Sequence, residues 1–161
     1  MILERSGEPF DLDAFLARPL MAHLATASAD GPRESPVWFL WEDGAVWLVG
    51  TSSDSFPKRV KDEPRCALGF VDFHLDRGVL LHVGMRGTAT VEKLDEARLY
   101  RLLGRYLGEE KDWNPAFVRS VIENLDLMVR FTPQSVVMRD QSYFLRTMSY
   151  PGQVASPEAS E

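Results

Sequence analysis

Only one cysteine, Cys66, occurs among the 161 residues, so no disulfide can form within the chain and a cross-linked scaffold is excluded. Its apolar setting, Cys66-Ala67-Leu68-Gly69-Phe70-Val71, reads as a buried structural thiol rather than a nucleophile. Histidine is scarce as well: His23, His74 and His82 have no zinc-type spacing with Cys66, so no metal is expected. No apolar run approaches the ~20 residues that a membrane span requires. The N-terminal segment has no basic region followed by an apolar one, so no secretory signal is expected, and the reading is a soluble, cytoplasmic protein. Positive charge is in deficit: 18 Lys and Arg stand against 24 Asp and Glu, a formal net charge of -6. That balance disfavours general binding to nucleic acid or to an anionic membrane. An anionic ligand must then be held by local positive charge. A Walker loop, a G-x-S-x-G nucleophile elbow and a G-x-G-x-x-G fingerprint are all missing.

The chain does have closely spaced strand and turn signals. A length of 161 residues favours one domain, placed at residues 1–150. The small, acidic tail at residues 151–161 is expected to be disordered. Asp11 is positioned to cap a short opening helix that carries Phe15 and Leu16 inward and ends at Pro19. Strands follow at residues 21–28, 34–41 and 45–51, joined by Asp30-Gly31 and Asp43-Gly44, two hairpin turns in succession. In the second of these strands Val37, Phe39 and Trp41 share one face, and Pro36, Trp38 and Leu40 the other. An antiparallel sheet with one wet face alternates more cleanly, so both faces must be covered. The inner face belongs to a barrel interior; helices, a second subunit or a flat aromatic cofactor can cover the outer one.

A short helix is predicted at residues 56–62, then strands at 66–72 and 79–91, the last bent or bulged by Gly84 and Gly87. Leu99, Leu102, Leu103, Tyr106 and Leu107 form the apolar stripe of a helix at residues 95–107. A second helix begins at Asn114 and Pro115 and carries Phe117, Val118, Val121, Ile122 and Leu125 inward. A final pair of strands at 127–131 and 135–139 closes the sheet.

One stretch concentrates chemistry. Ser52, Ser53 and Ser55 lead into Lys58 and Arg59, and residues 58–65 hold four cations against two acids. Hydroxyls, helix-start amides and cations suit a dianionic phosphate; an ordinary capped surface helix with solvated cations fits the same residues equally well.

In their order these elements resemble the pyridoxamine 5'-phosphate oxidase-like split-barrel superfamily of flavin-binding proteins. The resemblance rests on residues 24–41 (LATASADGPRESPVWFLW), 46–55 (VWLVGTSSDS), 58–70 (KRVKDEPRCALGF), 82–91 (HVGMRGTATV) and 130–140 (RFTPQSVVMRD). It implies a β-rich α+β fold, a six-stranded antiparallel split β-barrel with flanking helices. It also implies a homodimer with the cofactor between subunits, and an oxidoreductase acting on a small molecule. The implied cofactor is flavin mononucleotide (FMN), with the deazaflavin coenzyme or haem as alternatives within the superfamily; the alternative functions are a deazaflavin-dependent reductase and a non-enzymatic flavin- or haem-binding protein.

By the same resemblance, Ser52, Ser53, Ser55, Lys58 and Arg59 match the phosphate-binding segment. Phe56-Pro57 stands where the family has basic residues, and Phe56 cannot donate to a phosphate. Pro36, Val37, Trp38 and Phe39 match the strand along the flavin ring, with Trp38 either flanking the ring or packing in the dimer interface. Thr51 and Ser52, at the end of the strand at 45–51, add polar contacts. His82 occupies the place of a flavin-contacting glutamine. Tyr143, Phe144 and Arg146 are only loose counterparts of the oxidase's substrate-phosphate residues, so pyridoxamine phosphate itself is not the expected substrate.

Overall fold

A computed structural model describes residues 2–6 and 10–143. The order along the chain is β1 (Ile2–Ser6), α1 (Leu12–Leu16), β2 (Ala22–Thr26), β3 (Arg33–Val37), β4 (Phe39–Glu42), β5 (Ala45–Gly50) and α2 (Ser55–Asp62). It continues with β6 (Arg65–His74), β7 (Val79–Lys93), α3 (Glu96–Leu107), α4 (Pro115–Ser120) and β8 (Leu127–Asp140). All eight strands form one sheet in the order β3-β2-β6-β7-β8-β5-β4, with β1 added parallel to β8.

The two ends of that order, β3 and β4, are consecutive in the chain, separated by Trp38 alone. The strand expected at residues 34–41 is thus broken. Its first half pairs with β2 (Leu24 opposite Ser35) and its second half with β5 (Phe39 opposite Leu48). Joining both edges of the sheet through one residue curls it into a barrel, and counting β3 and β4 as one bent strand recovers the expected six. The parallel strand β1 lies outside that count and carries no hairpin signal.

The two-sided apolar pattern has the expected cause. One face of the strands fills the barrel with Leu24, Phe39, Leu48, Phe70, Met85, Phe131 and Met138, all buried. On the other face Leu40, Trp47 and Met128 pack under Leu99, Leu102 and Leu103 of α3 and under Trp113 and Ile122. Helices therefore provide the outer cover over β4 and β5. Asp43 and Gly44 both have positive φ (56° and 67°), the two-residue turn that matches strand twist and that Asp-Gly is suited to adopt.

Two expectations fail for identifiable reasons. The final pair of strands is one continuous strand, β8. Pro133, which lacks an N–H, is absorbed by a register shift: Arg86 faces Ser135 while Gly87 faces Pro133, leaving Gln134 bulged. Gly87 is required there, since a side chain would run into the Thr132 carbonyl and Pro133. The second helix, α4, stops at Ser120; Val121 leaves helical geometry, and Ile122 follows in a single 3-10 turn, Ile122–Asn124. Phe144, Arg146 and the tail at 151–161 lie outside the described residues.

The break at Trp38 is held by the end of α3. Tyr106 Oη accepts the Phe39 N–H (3.1 Å) and donates to the Leu20 carbonyl (2.8 Å). Arg105 donates to the carbonyls of Phe39 (2.9 Å), Leu16 (2.7 Å) and Arg18 (2.6 Å). The Trp38 ring stacks on Tyr106 with centroids 4.8 Å apart and planes 4° from parallel. Replacing Tyr106 by Phe keeps the stack but strands a part-buried N–H and carbonyl, at a cost of about 1–3 kcal/mol. Urea unfolding of Tyr106→Phe should show that loss; a change under about 0.5 kcal/mol would mean that the pin is not holding the bend.

Candidate functional site

Where β5 ends, the chain reverses tightly into α2. The Thr51 N–H donates to Asp54 Oδ2 (2.7 Å) and the Asp54 N–H to the Thr51 carbonyl (3.1 Å). Asp54 is thereby turned back toward β5 instead of capping α2. Phe56, Pro57 and Val60 form the buried face of α2. The Phe56 ring lies against Gly50, where a Cβ would come within 2.8 Å of it, so the residue in the family's basic position serves the core.

Arg59 leaves α2 on the opposite side and reaches across two strands. Its Nε donates to Thr26 Oγ1 (2.7 Å), Nη1 to Ser55 Oγ (2.8 Å) and Nη2 to Ser35 Oγ (3.3 Å). Among the described residues no carboxylate pairs with it. Thr26 Oγ1 itself donates to the Arg33 carbonyl (3.5 Å), while the Ser35 and Ser55 hydroxyls can turn their protons toward an incoming oxygen, so a part-buried guanidinium lacking a counter-charge here is a donor set for an anion.

The other residues of this stretch are placed differently. The Ser52 N–H and Oγ donate to the Asp126 carboxylate (2.7 and 2.6 Å). Ser53 Oγ bonds Thr51 Oγ1 (2.7 Å), and Lys58 Nζ donates to the Ser53 carbonyl (3.1 Å). Ser55 and Arg59 thus come together, while Ser52, Ser53, Thr51 and Lys58 are engaged locally. Thr26 and Ser35 complete the seat and were not singled out in the sequence. Ser35 follows Arg33 and Glu34 at the polar start of its strand, and nothing local placed either residue beside α2.

Beside the seat lies a cavity of about 440 Å³ in the split between β3 and β5, lined by Ser35, Pro36, Val37, Trp38 and Val49. Ser55, Asp54 and Phe56 form its end at α2, and Leu103, Phe117, Val121 and Leu125 its helical wall. Beyond its pairing with β2, no backbone hydrogen bond among the described residues engages Ser35–Trp38. Of the four ring-side residues, Pro36, Val37 and Trp38 line this cavity. Phe39 does not: its side chain fills the barrel and its backbone groups are taken by Tyr106 and Arg105. One face of Trp38 is taken by Tyr106.

His82 faces elsewhere, in a groove on the outer sheet face floored by Gly69 and Gly84 and flanked by His23, Arg86 and Arg139. Burial, and then the Arg139 guanidinium whose N–H lies 3.5 Å from Nδ1, push the His82 imidazole below its ordinary value. Cys66 is buried as expected, its Sγ donating to the Pro64 carbonyl (3.3 Å), and burial followed by the charge of Glu63 pushes its thiol up to about 11. No group of three or more metal-binding side chains occurs among the described residues, and none of their helices is long and apolar enough to cross a membrane.

Comparison with known proteins agrees with this architecture. The family model described as pyridoxamine 5'-phosphate oxidase matches residues 11–136. A conserved hypothetical protein of Mycobacterium tuberculosis superposes with a TM-score of 0.65 at 20% identity, over 98% of this chain and 99% of that one. An F420 reductase does so with a TM-score of 0.60 at 25% identity, over 80% and 98%. HutZ, a haem storage protein of Vibrio cholerae, gives 0.59 at 15%, over 78% and 89%. No curated protein matches.

A depressed imidazole pKa has a fixed sign in stability. Between the folded value and the unfolded value near 6.5 the unfolded chain binds more protons, so stability falls as pH drops through that window. NMR titration should place the His82 midpoint below 6.5, and Arg139→Gln should raise it. A midpoint at or above the ordinary value would contradict the burial described.

Proposed function

The chain belongs to the pyridoxamine 5'-phosphate oxidase family, and from the site it carries we propose that it is an FMN-binding oxidoreductase acting on a small molecule. The observation that carries this reading is the Arg59 guanidinium, paired with no carboxylate among the described residues and surrounded by Thr26, Ser35 and Ser55 at the rim of an apolar cavity. Phosphate binding there adds charge-assisted hydrogen bonds to a donor set already in place. Pro36, Val37 and Trp38 border the space for a planar ring, and their strand edge supplies main-chain donors and acceptors for its polar rim. Trp38, backed by Tyr106, is held rigidly rather than free to reorient.

Bound FMN would supply two-electron redox chemistry, which no side chain of the site provides. The protein's part is to hold the phosphate, orient the ring and keep water out with Phe117, Val121, Ile122 and Leu125. We further propose a homodimer. Its support is family membership together with the exposed apolar side chains Val71 and Phe73 of β6 and Leu75 of the turn that follows it. His82, in a groove that shares no lining residue with the cavity, would then meet a cofactor only through a second copy.

A deazaflavin cofactor is the second reading. It is favoured by the likeness to an F420 reductase and by a further groove that carries Arg65 and Arg86 and begins at Thr26 beside the seat.

The test is a visible spectrum of the purified protein before and after FMN addition and desalting. Retained FMN with paired flavin bands is expected. Arg59→Ala should weaken FMN binding about 10-fold to 100-fold, the worth of charge-assisted hydrogen bonds, while Lys58→Ala changes it by less than about 3-fold. A single violet band points to deazaflavin and a Soret band to haem, and no retained FMN would sink the first reading.

A further inference from the structure

Resting on that flavin reading, we propose that the second ligand of the cavity, the substrate, is a neutral, flat and largely apolar molecule, and that the site rejects carboxylated and phosphorylated compounds. Among the described residues no lysine, arginine or histidine lines the cavity, and the one charged group that does is Asp54. The Asp54 carboxylate accepts the Thr51 N–H at Oδ2 (2.7 Å) and sits at the α2 end of the cavity. Arg59 stands at the rim, not among the lining residues, and its free donors are those the cofactor phosphate would take.

An anionic group brought inside would therefore lose its hydration without a counter-charge and meet a carboxylate of like sign. An apolar aromatic molecule meets the opposite conditions. Trp38, Phe56 and Phe117 present aromatic surface, and Val37, Val49, Leu103 and Leu125 close around it. The mouth has the same character: Met21 and Val121 line the cavity and are still 42% and 40% exposed. A ligand that covers them removes that apolar area from water.

Equilibrium dialysis at pH 7 of 2-naphthalenemethanol against 2-naphthoate, which differ essentially in charge, tests this on FMN-loaded and FMN-free protein. The alcohol should bind at least tenfold more tightly than the carboxylate. Asp54→Asn, which retains an acceptor for the Thr51 N–H, should narrow the gap severalfold by improving 2-naphthoate. Val121→Glu at the mouth should weaken the alcohol by a similar factor. Equal or tighter binding of 2-naphthoate to the unaltered protein overturns the proposal, as does an Asp54→Asn variant with undiminished discrimination. FMN retention is read separately from the visible spectrum. A protein that discriminates by charge but holds no FMN refutes the flavin reading and leaves the cavity's selectivity standing.

Discussion

The break in the second barrel strand at Trp38, and the grip of Tyr106 and Arg105 on it, is the constraint from which the rest of this structure follows. A strand that pairs with β2 on one side of Trp38 and with β5 on the other must leave both ladders for a residue, exposing backbone groups away from water. Tyr106 and Arg105 supply the missing partners for Phe39, and the same side chains collect the carbonyls of Leu16, Arg18 and Leu20 from α1 and the segment after it. Two distant pieces of chain, residues 16–20 and Phe39, converge on one turn of α3. Without that convergence the sheet has two free edges, and the interior filled by Phe39, Phe70 and Phe131 has no closing wall.

The site is a by-product of the same break. Because β3 and β5 diverge on one side of Trp38, they leave a split, and the cavity occupies it. Arg59 stands at the end of that split on a helix anchored by Phe56 and Val60. A chain of net charge -6 can still offer an anion seat, because attraction at a few ångströms is set by the nearest charges and total charge acts through a screened field. The acids close by are occupied otherwise: Asp126 by Ser52, Asp54 by Thr51.

Charge elsewhere is structural. Glu42, at the end of β4, accepts hydrogen bonds from Arg98 and Arg101, and the Arg101 hydrogen bond chiefly holds its carboxyl below the usual carboxylate range. Arg98 lies over the Trp47 ring at 3.8 Å, so the guanidinium joins α3 to the sheet through both an ion pair and a cation–π contact. These contacts repeat, at the far end of α3, the attachment that Tyr106 and Arg105 make near Trp38.

By itself the sequence determined the elements whose causes are local. Asp43-Gly44 specifies its turn through positive φ, Asp11 and Asn114 cap their helices, and the stripe from Leu99 to Leu107 requires a helix with one buried side. The order of these elements was enough to point to the family and its barrel. What only the tertiary structure decided are the features with non-local causes. Pro133 reads locally as a strand end, yet Gly87 on another strand makes room for it and β8 runs on. Trp38 reads as mid-strand, yet two sheet edges that must meet break the strand there. The proposed anion seat was legible as Ser55 and Arg59 but not as Thr26 and Ser35. A guanidinium long enough to cross two strands chooses its partners by distance in space, and sequence spacing carries no record of that distance.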